Sequence, residues 1–290
     1  MSNPFGKSNA RHQSELLLRE LGINSLPVCP FLIADKLDIE VKQLPSNNKG
    51  VSGMLLRYDS QFGILYATYL ENPGFERFSI SHEIGHYSLP GHPDIILVDG
   101  IHQSRAGFIS YDKYEMEADY FAANLLMPTF LFETALDKAG VGLDAIEKLA
   151  AQCNTSLTAT AIRYAQHAPE AVAIIISTND LIDYCFMSDT LKEFRGLDWL
   201  RKGAPVPGYT FTHNFNKKAS NVSDGVRKDG DTNLQHWFGG DHEIEMLEEI
   251  IGLGSYGKTL TVLSTSDLPT IEDLDEEEAL MESWTPRFKR

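Results

Sequence analysis

Arg77-Phe78-Ser79-Ile80-Ser81-His82-Glu83-Ile84-Gly85-His86-Tyr87 is the stretch from which the rest of the chain is read. It contains His-Glu-x-x-His. On a helix, His82 and His86 lie one turn apart on the same face, where two imidazoles can grip one metal ion with Glu83 beside them as general base. Phe78, Ile80 and Ile84 set apolar residues around the polar trio, as a buried amphipathic helix requires. Pro73 and Gly74 supply a start and Pro90-Gly91 a stop, so the helix is expected over residues 74–88. The bland alternative is a pair of ordinary core histidines. The spacing and the interposed carboxylate favour the metal.

A catalytic zinc takes three protein ligands and leaves one position for water. The third ligand is sought in the run Tyr111-Asp112-Lys113-Tyr114-Glu115-Met116-Glu117-Ala118-Asp119-Tyr120-Phe121, part of a stretch of good helix formers that runs to Met127 and is followed by Pro128. Glu115 and Asp119 are four apart and share a helical face. Glu115 as ligand leaves Asp119 placed to accept the spare ring N–H of a ligand histidine. Glu117 points round the helix, away from that face, and stays an alternative ligand. So does His92, although Leu89 stands where the longer three-histidine pattern has a glycine. His102, in the same loop between the two helices, could also replace the third ligand. The chemistry expected is peptide hydrolysis. The metal lowers the pKa of a water, Glu83 takes its proton and passes it to the leaving amine, and a further donor stabilises the oxyanion. Tyr87, His102, Arg105, Tyr111 and Tyr114 are the candidates for that donor. An extended substrate could add as a strand to an edge within 51–58 or 62–69.

Composition narrows the classes. The chain of 290 residues is 42% hydrophobic and 23% charged, as a folded globular chain is, and is long enough for two compact units. Its longest apolar runs, such as Ala171–Ile176, are far below the ~20 residues of a membrane span. The start Met1-Ser2-Asn3-Pro4-Phe5 lacks the pattern of a secretory signal. The three cysteines, Cys29, Cys153 and Cys185, form no pair motif, which points to a reducing cytoplasm rather than a disulfide framework. A net charge of −16 disfavours direct DNA binding. Lys217, Lys218, Arg227 and Lys228 are the nearest thing to a basic patch, and interspersed Ser, Asn, Gly and Asp make them read as a solvated loop.

The remaining chain divides by pattern. Helices are expected at 9–22 and near 31–37, strands at 39–42, 51–58 and 62–69, and a loop over 89–110. A helix after Pro128 runs to Lys138. Residues 142–166 have the shape of a helix-turn-helix around Cys153-Asn154-Thr155-Ser156, read here as a structural pair. Beyond Ala168-Pro169, strands are expected at 172–177, 181–187, 234–238 and 259–263, with helices near 190–194 and 243–250. Trp237-Phe238 reads as core. From Ser266 onward the chain is an acidic tail. The fold class is α+β, organised as a mainly helical zincin-like domain with a small sheet at 1–140, a helix-turn-helix-like segment at 141–168, a C-terminal α+β domain at 169–265 and the tail at 266–290.

The two helical motifs together, Arg77 through His86 and Glu115-x-x-Ala118-Asp119-x-Phe121-Ala122-Ala123-x-Leu125-Leu126-Met127-Pro128, resemble the ImmA/IrrE family of metallopeptidases. The resemblance covers about residues 10–140, and the C-terminal remainder is similar to the IrrE arrangement with a GAF-like domain. It implies His82, His86 and Glu115 as ligands of Zn2+ (or Mn2+) and Glu83 as catalytic base. It also implies a cytoplasmic endopeptidase that cleaves an XRE-type helix-turn-helix repressor, with induction of a mobile element or a stress response. Two readings of other classes stand beside it: a non-proteolytic DNA-binding or ligand-sensing regulator with a structural metal, and an antitoxin-like binding partner. Glu83 discriminates, because a structural site has no use for that carboxylate.

Overall fold

The computed structural model describes residues 4–45, 50–69, 71–105, 112–194, 196–240, 243–265 and 268. Two compact units meet in the chain at Tyr164 and Ala165. Tyr111, and the acidic tail apart from Leu268, lie outside the described residues.

The first unit opens with α1 (Pro4–Glu20) and α2 (Pro30–Lys36), then β1 (Ile39–Gln43), β2 (Val51–Tyr58) and β3 (Gln61–Tyr66). The metal-motif helix is α3 (Pro73–Ser88). Asn72 caps it by accepting from Phe75 N at 2.9 Å, and Pro73 takes the first helical position, where its missing N–H costs nothing. α4 (His92–Ile96) and β4 (Ile101–Arg105) come next, then α5 (Lys113–Leu126), α6 (Thr129–Ala139), α7 (Gly142–Cys153) and α8 (Leu157–His167). The sheet order is β1-β3-β2-β4, with β1 parallel to β3 and the other pairs antiparallel. α3 packs on β2 and β3 and against α5, which in turn packs on α1. The core between them gathers Leu18, Ile33, Leu55, Ile64, Ile80, Ile84, Phe121 and Leu125, all fully buried.

Two expectations for this unit change. The stretch 89–110 is more than loop: it contains α4 and β4. The run Ile101-His102-Gln103-Ser104-Arg105 alternates too weakly to signal a strand, and pairing with β2 supplies what propensity does not. β2 and β3 are inner strands, so neither is an edge; among the described residues, β1 and β4 are the edges. α7 and α8 form the expected helix pair, turned at Asn154 in the left-handed conformation. Arg163 of α8 is buried and donates to Met127 O at 3.2 Å and Thr129 Oγ1 at 3.1 Å.

The second unit is built on an antiparallel sheet of β5 (Ala171–Thr178), β6 (Leu181–Met187), β7 (Arg227–Asn233), β8 (Glu245–Gly252) and β9 (Lys258–Thr265), ordered β6-β5-β9-β8-β7. Among the described residues, four short α-helices and a 3-10 turn (Gly254–Tyr256) complete it, the helices being α9 (Asp189–Glu193), α10 (Phe211–Asn216), α11 (Ala219–Ser223) and α12 (Leu234–Phe238). Residues 234–238 are therefore helix rather than strand, and the segment from Glu245 is strand rather than helix. Glu245–Gly252 has enough charged residues to pass for a helix. Its pairing with both β7 and β9 decides the matter, as tertiary context overrides propensity. Trp237 and Phe238 lie in the core, as expected, and Trp237 Nε1 donates to the buried Glu248 at 3.3 Å. Lys217, Lys218, Arg227 and Lys228 are exposed; the last two stand on β7.

Candidate metal centre

α3 is an unusual helix to bury. From Ser79 to His86 every residue is buried, although most of the polar motif falls there. Polar groups so placed must find partners or carry a cost. Arg77, at the start of this segment, donates to Asn154 O at 3.0 Å and to Val28 O. Ser81 Oγ donates back to Arg77 O at 2.8 Å. Gly85 lets α5 approach: a Cβ there would meet the Phe121 ring at 3.1 Å. That approach sets α5 beside the two histidines.

Nε2 of His82 and Nε2 of His86 are 3.0 Å apart. Glu115, in the first turn of α5, reaches both: Oε2 is 3.4 Å from His82 Nε2 and Oε1 is 3.3 Å from His86 Nε2. One ligand atom from each of the three lies within 4.8 Å of the others. This donor set, two imidazole nitrogens and a carboxylate, is that of a catalytic zinc site with an open position. The opposite ring nitrogen of each histidine is engaged. His82 Nδ1 donates to Asp119 Oδ1 at 2.8 Å, and His86 Nδ1 lies 3.2 Å from His92 Nδ1.

Glu83 stands apart. It is fully buried, and neither of its carboxylate oxygens has a hydrogen-bond partner among the described residues. Burial raises its pKa to about 7, with His82, Ser104 and His102 pulling the other way. Ser104 Oγ is close enough to exert that pull without the geometry of a hydrogen bond. Gly53 of β2 leaves room for the carboxylate: a Cβ at this position would sit 2.5 Å from Glu83 Oε1. For Glu115, burial alone would raise the pKa. Hydrogen bonds from His102, His82 and His86 outweigh it and hold the carboxyl well below the usual range. Burial pushes His86 down to about 3; the same burial in His82 is overcome by Asp119 and Glu115, which hold it near 10. Without an ion, His82 holds its proton more firmly than His86, and His86 Nε2 faces His82 Nε2 at 3.0 Å.

The other sequence candidates take places around this cluster. His102, on β4, donates from Nε2 to Glu115 Oε1 at 2.8 Å. His92 and Glu117 do not join the ligand cluster; they bond to each other at 3.1 Å, behind His86. The ring of Tyr87 packs edge-on to Phe62 at 4.9 Å. Tyr114 stacks edge-on against His92 at 5.0 Å, and Arg105 is exposed at the end of β4. Gly53 and Ser104 are site residues that sequence reasoning misses. An isolated glycine inside a strand, the sign of close approach, is the signal that could have found Gly53. Ser104 carries none.

A buried His-Glu-x-x-His helix with a carboxylate from a second helix is the donor arrangement found in metallohydrolases. Residues 34–164 match the family model described as the IrrE N-terminal-like domain, a peptidase family. No curated protein matches the sequence. Among solved structures, a Mycobacterium tuberculosis transcriptional regulator shares the fold at a TM-score of 0.55 and 15% identity, over 97% of this chain and 80% of that one. No helix among the described residues is long and apolar enough to cross a membrane.

Proposed function

We propose that this chain is a metal-dependent endopeptidase that cuts a protein substrate, an XRE-type helix-turn-helix repressor, and so releases the genes that repressor holds. The observation that carries the reading is Glu83: a fully buried carboxylate with no hydrogen bond among the described residues, beside three converging ligand atoms. A structural metal site gains nothing from such a group and bears its desolvation cost. A hydrolase needs it as a base.

The residues divide the work. His82, His86 and Glu115 would hold Zn2+ or Mn2+. An ion held there would supply a water of lowered pKa and Lewis-acid polarisation of the carbonyl under attack. Glu83 takes the proton of the attacking water and returns it to the leaving amine. A pKa raised towards 7 suits both transfers near neutrality. Asp119 holds the His82 ring, and the contact of His102 with Glu115 supports a role beside that ligand over one at the oxyanion. β4 is an edge among the described residues, and His102 and Ser104, two apart, share the face turned to the site. An extended substrate pairing along β4 would pass over Glu83.

The substrate class rests on the family resemblance, as does the expectation of a GAF-like sensing role for the second unit, whose sheet is five-stranded and antiparallel. Direct DNA binding is disfavoured by the net charge of −16 and by Arg163, which is engaged in contacts inside the first unit. The test is incubation of the full chain, with Zn2+ or Mn2+, with an XRE-type helix-turn-helix repressor from the same genome. Mass spectrometry should show one cut that disappears on chelation. An intact repressor, bound tightly by the metal-loaded chain, would favour a partner that acts by binding.

A further inference from the structure

His86 meets the candidate ligand cluster with Nε2, so a metal there requires its proton on Nδ1. That Nδ1 lies 3.2 Å from Nδ1 of His92. A donor facing a ring nitrogen needs an acceptor, so His92 must carry its own proton on Nε2. Nε2 of His92 points at Glu117 Oε2, 3.1 Å away, which is an acceptor. The three groups therefore have one consistent order of donation: His86 Nδ1–H to His92 Nδ1, and His92 Nε2–H to Glu117. His92 is buried, at the first position of α4 after Gly91 in the left-handed conformation, and Tyr114 packs edge-on against its ring. Glu117 is fixed from the far side by α1. A Cβ on Gly6 would collide with Glu117 Oε1, so the first turn of α1 closes over that carboxylate. Lys7 in the same turn lies over the Tyr120 ring, 4.4 Å from its centroid, about one turn of α5 beyond Glu117.

We propose that His92 and Glu117 form a positioning relay for His86, seated against the first turn of α1, that selects the ring tautomer able to bind the metal. His82 has the short version of this device, donating directly to Asp119. His86 Nδ1 meets His92 instead, and His92 carries the interaction on to Glu117. The relay would make α1 part of the support of the centre. Hydrogen-bonded groups behind metal ligands are typically worth about 10–100-fold in metal affinity. The inference rests on the metallopeptidase reading for its metal and is separable from it by experiment.

The experiment is a competition titration of metal-free full-length protein with Zn2+, together with 15N NMR of the histidine rings in the same samples. Wild type should show His92 as the Nε2–H tautomer. Glu117→Met, which keeps the side-chain length, removes the acceptor and lies at a partly exposed position, should bind Zn2+ about 10–100-fold more weakly with an unchanged thermal melt of the metal-free protein. His92→Gln should lose a similar factor, and the double variant no more than the larger single loss, because the two act in series. Gly6→Ala, which displaces Glu117 from α1, should weaken binding in the same direction and keeps the test open if His92→Gln does not fold. Unchanged affinity in Glu117→Met, or an Nδ1–H tautomer at His92, would overturn the relay alone. A wild-type chain that binds no Zn2+ would overturn the metallopeptidase reading together with it.

Discussion

Glu83 carries two opposing demands at the residue scale. Hydrolysis wants a base free of competing hydrogen bonds, and stability wants every buried carboxylate paired. Folding holds its proton to about pH 7, whereas the unfolded chain releases it near 4.5. Between those values the folded state binds more protons, so the group's contribution to stability falls as pH rises through the window. Metal-free Glu83→Gln should therefore melt higher than metal-free wild type at pH 8, by an amount on the order of 1–3 kcal/mol, and the gain should shrink towards pH 5. Equal melting temperatures at both values would show that the carboxylate is not buried uncompensated. Glu115 is the complementary case: it reaches both histidines, so Glu115→Ala should leave the purified protein without stoichiometric metal by elemental analysis. Full occupancy in that variant would return the third ligand to Glu117 or His92.

The arrangement of elements explains which parts of the site are legible in sequence. The α3 and α5 motifs are, because helical spacing alone brings His82 to His86 and sets Glu115 on the face of Asp119. β4 is not, since Ile101–Arg105 becomes a strand only through its partner β2, and with it goes the placement of Ser104. Glu245–Gly252 misleads for the same reason. Local composition says helix, and two neighbouring strands say otherwise. Gly53 shows how a strand position can matter to chemistry it does not perform. A Cβ there would lie 2.5 Å from Glu83 Oε1, so Gly53→Ala should force the base aside and lower turnover by about 100-fold with metal content intact. Turnover within about a factor of two of wild type would mean the carboxylate has room to move without consequence. Arg77 joins α3 to Asn154 at the end of α7 and to Val28 before α2. Arg77→Met leaves both carbonyls without their donor and should cost about 2–4 kcal/mol in denaturant titration. A midpoint indistinguishable from wild type would show that water replaces the guanidinium.

For the whole molecule, charge and division into units bear on the target. The chain carries −16, and the lysines and arginines that cluster in sequence are exposed among acidic residues, with Arg227 paired to Glu249 at 3.1 Å. In a gel-shift assay at about 0.15 M salt the full chain should retain no duplex DNA. Retention that weakens steeply with salt would restore the DNA-binding alternative. The α+β class is visible from the mixture of helical and alternating patterns along the chain. The order of the second sheet is not, because β5 pairs with β9 across a long intervening segment that no local pattern encodes. What unites these scales is the claim that the α3–α5 centre hydrolyses peptide bonds with Glu83 as base. The most direct measurement compares wild type and Glu83→Gln, each with its bound metal counted, in cleavage of an XRE-type repressor from the same genome. Both proteins should hold one equivalent of metal, wild type should make a single cut, and cleavage by the variant should fall by about 10²–10⁴-fold or more. Equal cleavage by the two proteins at equal metal content would contradict the claim.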